Sequence, residues 1–202
     1  MSAEKQLWLL AGGNGAGKST FHRLFLQPLG LHFVNADIIA RTLAPDNTVD
    51  ISYQAARLAE TLRTDLLRQG RSFCFETVFS HPSKIDFLAQ AKTLGYETIL
   101  VYIHLQHSQL NLARVAQRVS EGGHGVPDDK VVTRIPRTMA HIQTAFQLAD
   151  LSRIYDNSRH DAPFAPVAEI RQGSLSLLTS TPPSWLDQVL PATLMPEQTE
   201  RQ

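Results

Sequence analysis

The chain has one cysteine, Cys74, among 202 residues, which excludes an intrachain disulfide and fits a reducing compartment. Phe73 and Phe75 on either side of it mark an inert strand thiol, not a nucleophile. No charge of one sign prevails: 19 Lys and Arg stand against 19 Asp and Glu. No global field therefore points to nucleic acid or to an acidic membrane as a partner. Long apolar runs are missing too. The strand-like run after Lys5 is too short for the apolar region of a signal peptide or for a membrane span. Repeats and low-complexity segments are absent. The expectation is a soluble, cytoplasmic chain, and at 43% hydrophobic and 19% charged it can bury a core of one domain.

What is present is an alternation of short apolar runs and helical patterns. Gln6 to Ala11, His32 to Asn35, Ser72 to Phe75, Thr98 to Leu105 and Arg153 to Tyr155 read as strands. Val167 to Leu178 reads as one or two edge strands. Between them, Lys18 to Gln27 reads as a helix ending before Pro28, and Ile38 to Leu43 as a helix capped by Asp37. Tyr53 to Gln69 carries Ala55, Leu58, Ala59, Leu62 and Leu66 at helical spacing. Pro82 to Leu94, a helix capped by Ser108 to about Glu121, and one capped by Asp128 or Asp129 through to Leu148 complete the helices, the last bent or split at Pro136. Strands and helices in this order predict an α/β fold with three layers, a mostly parallel sheet covered on both faces. Residues 1–180 read as one domain, and the proline-rich stretch 181–202 as a peripheral tail.

Gly12-Gly13-Asn14-Gly15-Ala16-Gly17-Lys18-Ser19, with Thr20 next, matches G-x-x-x-x-G-K-[ST] between a strand and a helix. Glycines let consecutive backbone N–H groups turn inward as a nest for phosphate oxygens, and the helix start adds its dipole. Lys18 is expected on the β- and γ-phosphates and Ser19 on Mg²⁺, with ATP as the nucleotide. A chance match in a chain this long is about a one-in-a-hundred event, so the phosphate-binding reading prevails.

The loop alone does not choose among kinases, motors and GTPases. No LSGGQ-like signature, no apolar strand ending in Asp-Glu and no N-K-x-D appears, which argues against cassette ATPases and GTPases. Instead, acids stand at strand ends. Asp37 and Glu76 are expected in the crevice at the carboxyl ends of the strands, as a base for an acceptor hydroxyl or as Mg²⁺ holders through water. Arg114 and Arg118 lie one helical turn apart, a spacing at which like charges repel unless an anion sits between them. The loop Gly122-Gly123-His124 then leads to Lys130, Arg134 and Arg137, the ingredients of a cationic helical lid.

Together the phosphate loop, Asn35-Ala36-Asp37, Glu76-Thr77, Arg114/Arg118, Gly122-Gly123-His124 with Val126-Pro127, and Tyr155-Asp156-Asn157-Ser158 resemble the zeta-toxin-like P-loop kinases, in particular a short bacterial branch. The better-known members phosphorylate UDP-N-acetylglucosamine. The resemblance implies Asp37 as catalytic base and Glu76, with Thr77, as substrate contacts. It also implies Arg114 or Arg118 on the phosphates and a second cation from the lid, Arg134 or Lys130. Asn157 falls where related kinases hold adenine. A small-molecule phosphoryl acceptor and an antitoxin protein are the implied partners. The segment containing Pro45-Asp46-Asn47 matches no sugar-binding segment of the toxins. Two rivals stay open: an ATPase driving a partner protein, with the Trp185 tail as a candidate docking face, and a non-enzymatic nucleotide-binding module.

Overall fold

Apolar side chains alternate along the central strands and sort the interior into two layers. In the first strand, β1 (Gln6–Ala11), Leu7, Leu9 and Ala11 enter one core cluster while Trp8 and Leu10 enter the other. A strand buried on both faces reads as an unbroken apolar run because each face meets its own helical layer. The structure is a computed structural model and describes residues 5–44, 51–123 and 125–194. The segment with Pro45-Asp46-Asn47, and His124, lie outside them.

Among the described residues seven strands form one sheet in the order β2-β3-β1-β4-β5-β6-β7. β2 (His32–Val34), β3 (Phe73–Thr77), β1, β4 (Glu97–His104) and β5 (Leu151–Asp156) run parallel. β6 (Ala165–Arg171) and β7 (Ser174–Leu177) add an antiparallel hairpin at one edge. In register, Ala11 at the end of β1 stands beside Thr77 of β3 and Tyr102 of β4. The loop leaving β1 therefore emerges beside Glu76 and Thr77.

One face is covered by α3 (Ser52–Arg68), α4 (Ser83–Thr93) and α6 (Asp128–Leu148), through Ala59, Leu66, Leu88, Ile142 and Phe146. The other is covered by α1 (Lys18–Phe21) and its continuation, with Leu110 of α5 (Ser108–Ser120) packed alongside. This is the expected three-layer, mostly parallel arrangement. α6 runs through Pro136 without splitting. No helix among the described residues is long and apolar enough to cross a membrane.

Several local expectations are corrected. The first helix is α only to Phe21, then π over His22–Leu26 and 3-10 over Gln27–Leu29. Asn35, not Asp37, caps α2 (Ala36–Leu43), because its side-chain oxygen accepts from the Asp37 and Ile38 amides. Ser108 and Asp128 are the first residues inside their helices, not caps. On α3 the predicted period is right and its phase is shifted: Leu58 and Leu62 are exposed, whereas Arg63 is buried. Trp185, Leu186, Val189 and Leu190, placed in a peripheral tail by the sequence reading, are buried in the main core. A short helix, α7 (Leu186–Val189), forms there. The exposed Trp185 docking face therefore does not exist.

Candidate active site

The loop after β1 is held by backbone closeness on one side and by two asparagines on the other. Gly12 has φ +151°, and a Cβ there would lie 2.2 Å from the Ile103 carbonyl oxygen of β4. Gly17 has φ +97° and a Cβ on it would meet Asn157 Nδ2 at 2.6 Å. Only glycine meets both the dihedral and the space requirement at either position. Asn111 of α5 donates from Nδ2 to the Asn14 carbonyl at 2.6 Å, and Asn157 donates to the Ala16 carbonyl at 2.9 Å. Lys18 Nζ donates to the carbonyls of Gly12 and Gly13, each at 3.0 Å. Burial pushes the Lys18 ammonium below its ordinary value, opposed by Glu76 and then Asp37.

Beside the loop the acids gather. Ser19 donates its hydroxyl to Glu76 Oε2 at 2.6 Å, Asn35 donates to the same oxygen at 2.8 Å, and Lys18 Nζ lies 3.7 Å from Glu76 Oε1. Asn35 thus ties Glu76 to the amide end of α2, whose first turn carries Asp37. An acid there is favoured by the helix dipole. Ser19, Glu76 and Asp37 are hard oxygen donors lining one cavity, a set that suits Mg²⁺, which takes few protein ligands when phosphates supply the rest.

The predicted cations divide. Arg114 is engaged: its Nη2 donates to the Asn157 carbonyl at 2.7 Å, bracing the residue that braces the loop. Arg118 instead has two buried nitrogens, Nε and Nη2, without a partner among the described residues. Lys130 and Arg134 line the same cavity, opposite the acids in charge. Arg137 does not; its Nε donates to the Thr133 carbonyl of its own helix. The α5 end and the α6 start form the helical lid segment that carries these cations.

Most of these residues line one cavity of about 1220 Å³. Asn14, Gly15, Gly17, Lys18, Ser19, Thr20, Asp37, Glu76, Thr77, Arg114, Arg118, Arg134 and Asn157 line it. Gly12, Gly13 and Ala16 are buried behind it as loop framework. The Asn157 amide, assigned to adenine by resemblance, is occupied otherwise: Nδ2 holds Ala16, and Oδ1 accepts from the Phe164 amide at 3.1 Å. Thr77 accepts from the Phe79 amide at 3.0 Å and so supports a turn in which Phe79 takes φ +63°. A buried phenylalanine in that region is strained, a feature that concentrates at functional sites. Sequence reasoning missed Asn111 and a further cationic pair, Arg63 and Lys84, which also line the cavity. The exposed-looking helical position of Arg63 carried no signal for it.

The family model for Zeta toxin matches residues 2–164. The chain belongs to the zeta toxin family. An uncharacterized protein of Haemophilus influenzae is 34% identical over 137 residues, covering 64% of this chain and 97% of that protein. Among solved structures, the AvrRxo1-ORF1:AvrRxo1-ORF2 complex with ATP superposes with TM-score 0.73 at 17% identity, over 96% of this chain and 66% of that one. The zeta toxin family member thus spans slightly under two thirds of that chain's length. A structure from the PezAT chromosomal toxin-antitoxin system of Streptococcus pneumoniae gives TM-score 0.66 at 17% identity, over 97% of this chain and 81% of that one. These are likenesses of fold.

Proposed function

We propose that this chain is an ATP-dependent phosphotransferase that moves the γ-phosphoryl group to a hydroxyl of a small molecule, with a nucleotide sugar such as UDP-N-acetylglucosamine as the leading acceptor. The observation that carries the reading is the single cavity. It joins the phosphate loop, Asp37, Glu76, Arg118, whose Nε and Nη2 have no partner among the described residues, and the Lys130/Arg134 pair. Its volume of about 1220 Å³ leaves room for an acceptor beside a triphosphate.

In this reading the loop amides and Lys18 bind the phosphates. Ser19, Glu76 and Asp37 are the residues suited to hold Mg²⁺, which when bound neutralises phosphate charge. Asp37 takes the proton from the acceptor hydroxyl as its oxygen bonds to the γ-phosphorus. The bond from that phosphorus to the β–γ bridging oxygen breaks, and ADP leaves with the electron pair. Arg118 and the lid cations, Arg134 or Lys130, face the charge that spreads over the transferring group. Arg114 and Asn157 act through the loop they hold. The likeness to a toxin-antitoxin structure supports an antitoxin protein as a partner.

Incubation with ATP, Mg²⁺ and a panel of UDP-sugars and small metabolites, read by mass spectrometry, tests the reading. The expected result is one phosphoryl group added to an acceptor and its loss in Asp37→Ala. Phosphate release without any phosphorylated acceptor overturns it, and full transfer by Asp37→Ala overturns the base assignment.

A further inference from the structure

In a helix a threonine hydroxyl commonly turns back to the carbonyl four residues earlier. Thr42, Thr64 and Thr133 do so, on Ile38, Glu60 and Asp129. Thr138 of α6 does not. Its Oγ1 donates at 2.8 Å to the Val78 carbonyl, 60 positions away in the chain, and the residue is only 2% exposed. Nearly one turn further along α6, His141 Nδ1 lies 3.2 Å from the Phe79 carbonyl. Facing a carbonyl, that nitrogen is the N–H donor. Two side chains on one face of α6 thus hold two consecutive carbonyls.

The turn they hold is the strained one after β3. Phe79 takes φ +63° while its ring is fully buried in the main core. Its amide donates to the Thr77 hydroxyl oxygen at 3.0 Å. Strained backbone persists only where its surroundings over-determine it; here the ring, the amide and the two carbonyls do so. Because Thr77 Oγ1 accepts from that amide, its own proton remains to donate to a ligand. Thr77, Val78, Phe79, Ser80 and His81 all line the cavity. The beginning of α6 brings Lys130 and Arg134 to the same cavity, and the helix continues through Pro136 without a break. Arg134 and Thr138 are therefore about one turn apart on a single helix.

We propose that Thr138 and His141 are positioning residues. They lock the turn at 77–79 to the helix of the lid cations, and so hold the acceptor wall and those cations in one register for transfer. That the wall receives an acceptor rests on the phosphotransfer reading; the tie between turn and helix stands apart from it. Slackening the tie lets the two sides of the site drift relative to each other, which acts on kcat and on the acceptor KM, and not on the grip of the phosphate loop.

Thr138→Val and His141→Leu remove the donors, whereas Thr138→Ser and His141→Asn keep one at or near the same place. Hydrogen–deuterium exchange on the chain saturated with Mg²⁺ and a non-hydrolysable ATP analogue reads the tie. Transfer from ATP to UDP-N-acetylglucosamine reads its consequence. In the Val and Leu variants, exchange is expected to quicken in both 77–81 and 130–137. Their kcat is expected to fall about tenfold or more, with a raised acceptor KM. Analogue affinity is expected to stay within about twofold, which also reports an intact fold. The Ser and Asn variants are expected to recover most of kcat. Faster exchange confined to 77–81, unchanged exchange in both donor-lacking variants, analogue affinity lost in step with kcat, or equal losses in the Ser and Asn variants overturns the proposal. If the unaltered chain transfers nothing to UDP-N-acetylglucosamine, that acceptor falls and exchange alone decides the tie: a joint rise keeps it, and a confined one overturns it.

Discussion

Ser19 and Glu76, one from the phosphate loop and one from the neighbouring strand β3, share a 2.6 Å hydrogen bond. The bond joins the hydroxyl expected on a metal to a carboxylate that also receives Asn35. Glu76→Gln keeps the shape and removes the charge. Phosphoryl transfer is expected to fall about 10²-fold or more, mainly in kcat, because the lost interaction serves the charged transition state. Steady-state kinetics with ATP varied checks this; a change confined to the acceptor KM would return Glu76 to a purely substrate-contacting role.

Asn157 connects the loop to the β5–β6 segment through both ends of its amide. Replacement by alanine leaves the Ala16 carbonyl and the Phe164 amide without these partners. A loss of about 1–3 kcal/mol in stability is expected, measured by urea unfolding. Affinity for ATP and GTP is expected to weaken alike, since the residue acts on the loop. A loss selective for ATP would restore the adenine-contact role.

Gly12→Ala drives a methyl group toward the Ile103 carbonyl. Gly30, at φ +66°, has open space where its Cβ would be. The Gly12 variant is expected to lose nucleotide binding and several kcal/mol of stability, whereas Gly30→Ala is expected to lose only about 1 kcal/mol. Fluorescent-nucleotide titration and urea melts on the pair check the contrast.

Trp185 is 3% exposed, lies at 4.5 Å from His104 ring to ring, and donates from Nε1 to Asp156 at 3.3 Å. Trp185→Ala is expected to cost about 3–5 kcal/mol. Chemical denaturation measures it; a shift near zero would return this stretch to the periphery.

The legible parts of this protein are those whose cause is local. Eight consecutive residues from Gly12 to Ser19 carry the turn-forming glycines, the lysine and the hydroxyl, so the motif could be read without knowing where the rest of the chain goes. Apolar runs bounded by glycine and helical spacing disclosed the strand–helix alternation, and strand alternation with helices implied a parallel sheet. Even the cavity's wall was largely foreseen, because strand carboxyl ends converge in such sheets.

What local pattern left undecided was which side chains meet. Arg63 sits on a helix whose apolar spacing pointed to Leu58 and Leu62, and only packing against Phe75 and Phe87 turned the arginine inward. Asn111 and Asn157 reach the loop from 97 and 141 positions away in the chain. The proline-rich stretch around Trp185 looked peripheral until the sheet supplied a surface for it. The sequence by itself determined the phosphate-loop cradle and the layered fold, through backbone geometry and periodicity. The tertiary structure decided which amides hold the cradle and which cations share its cavity, because those contacts join residues remote in sequence.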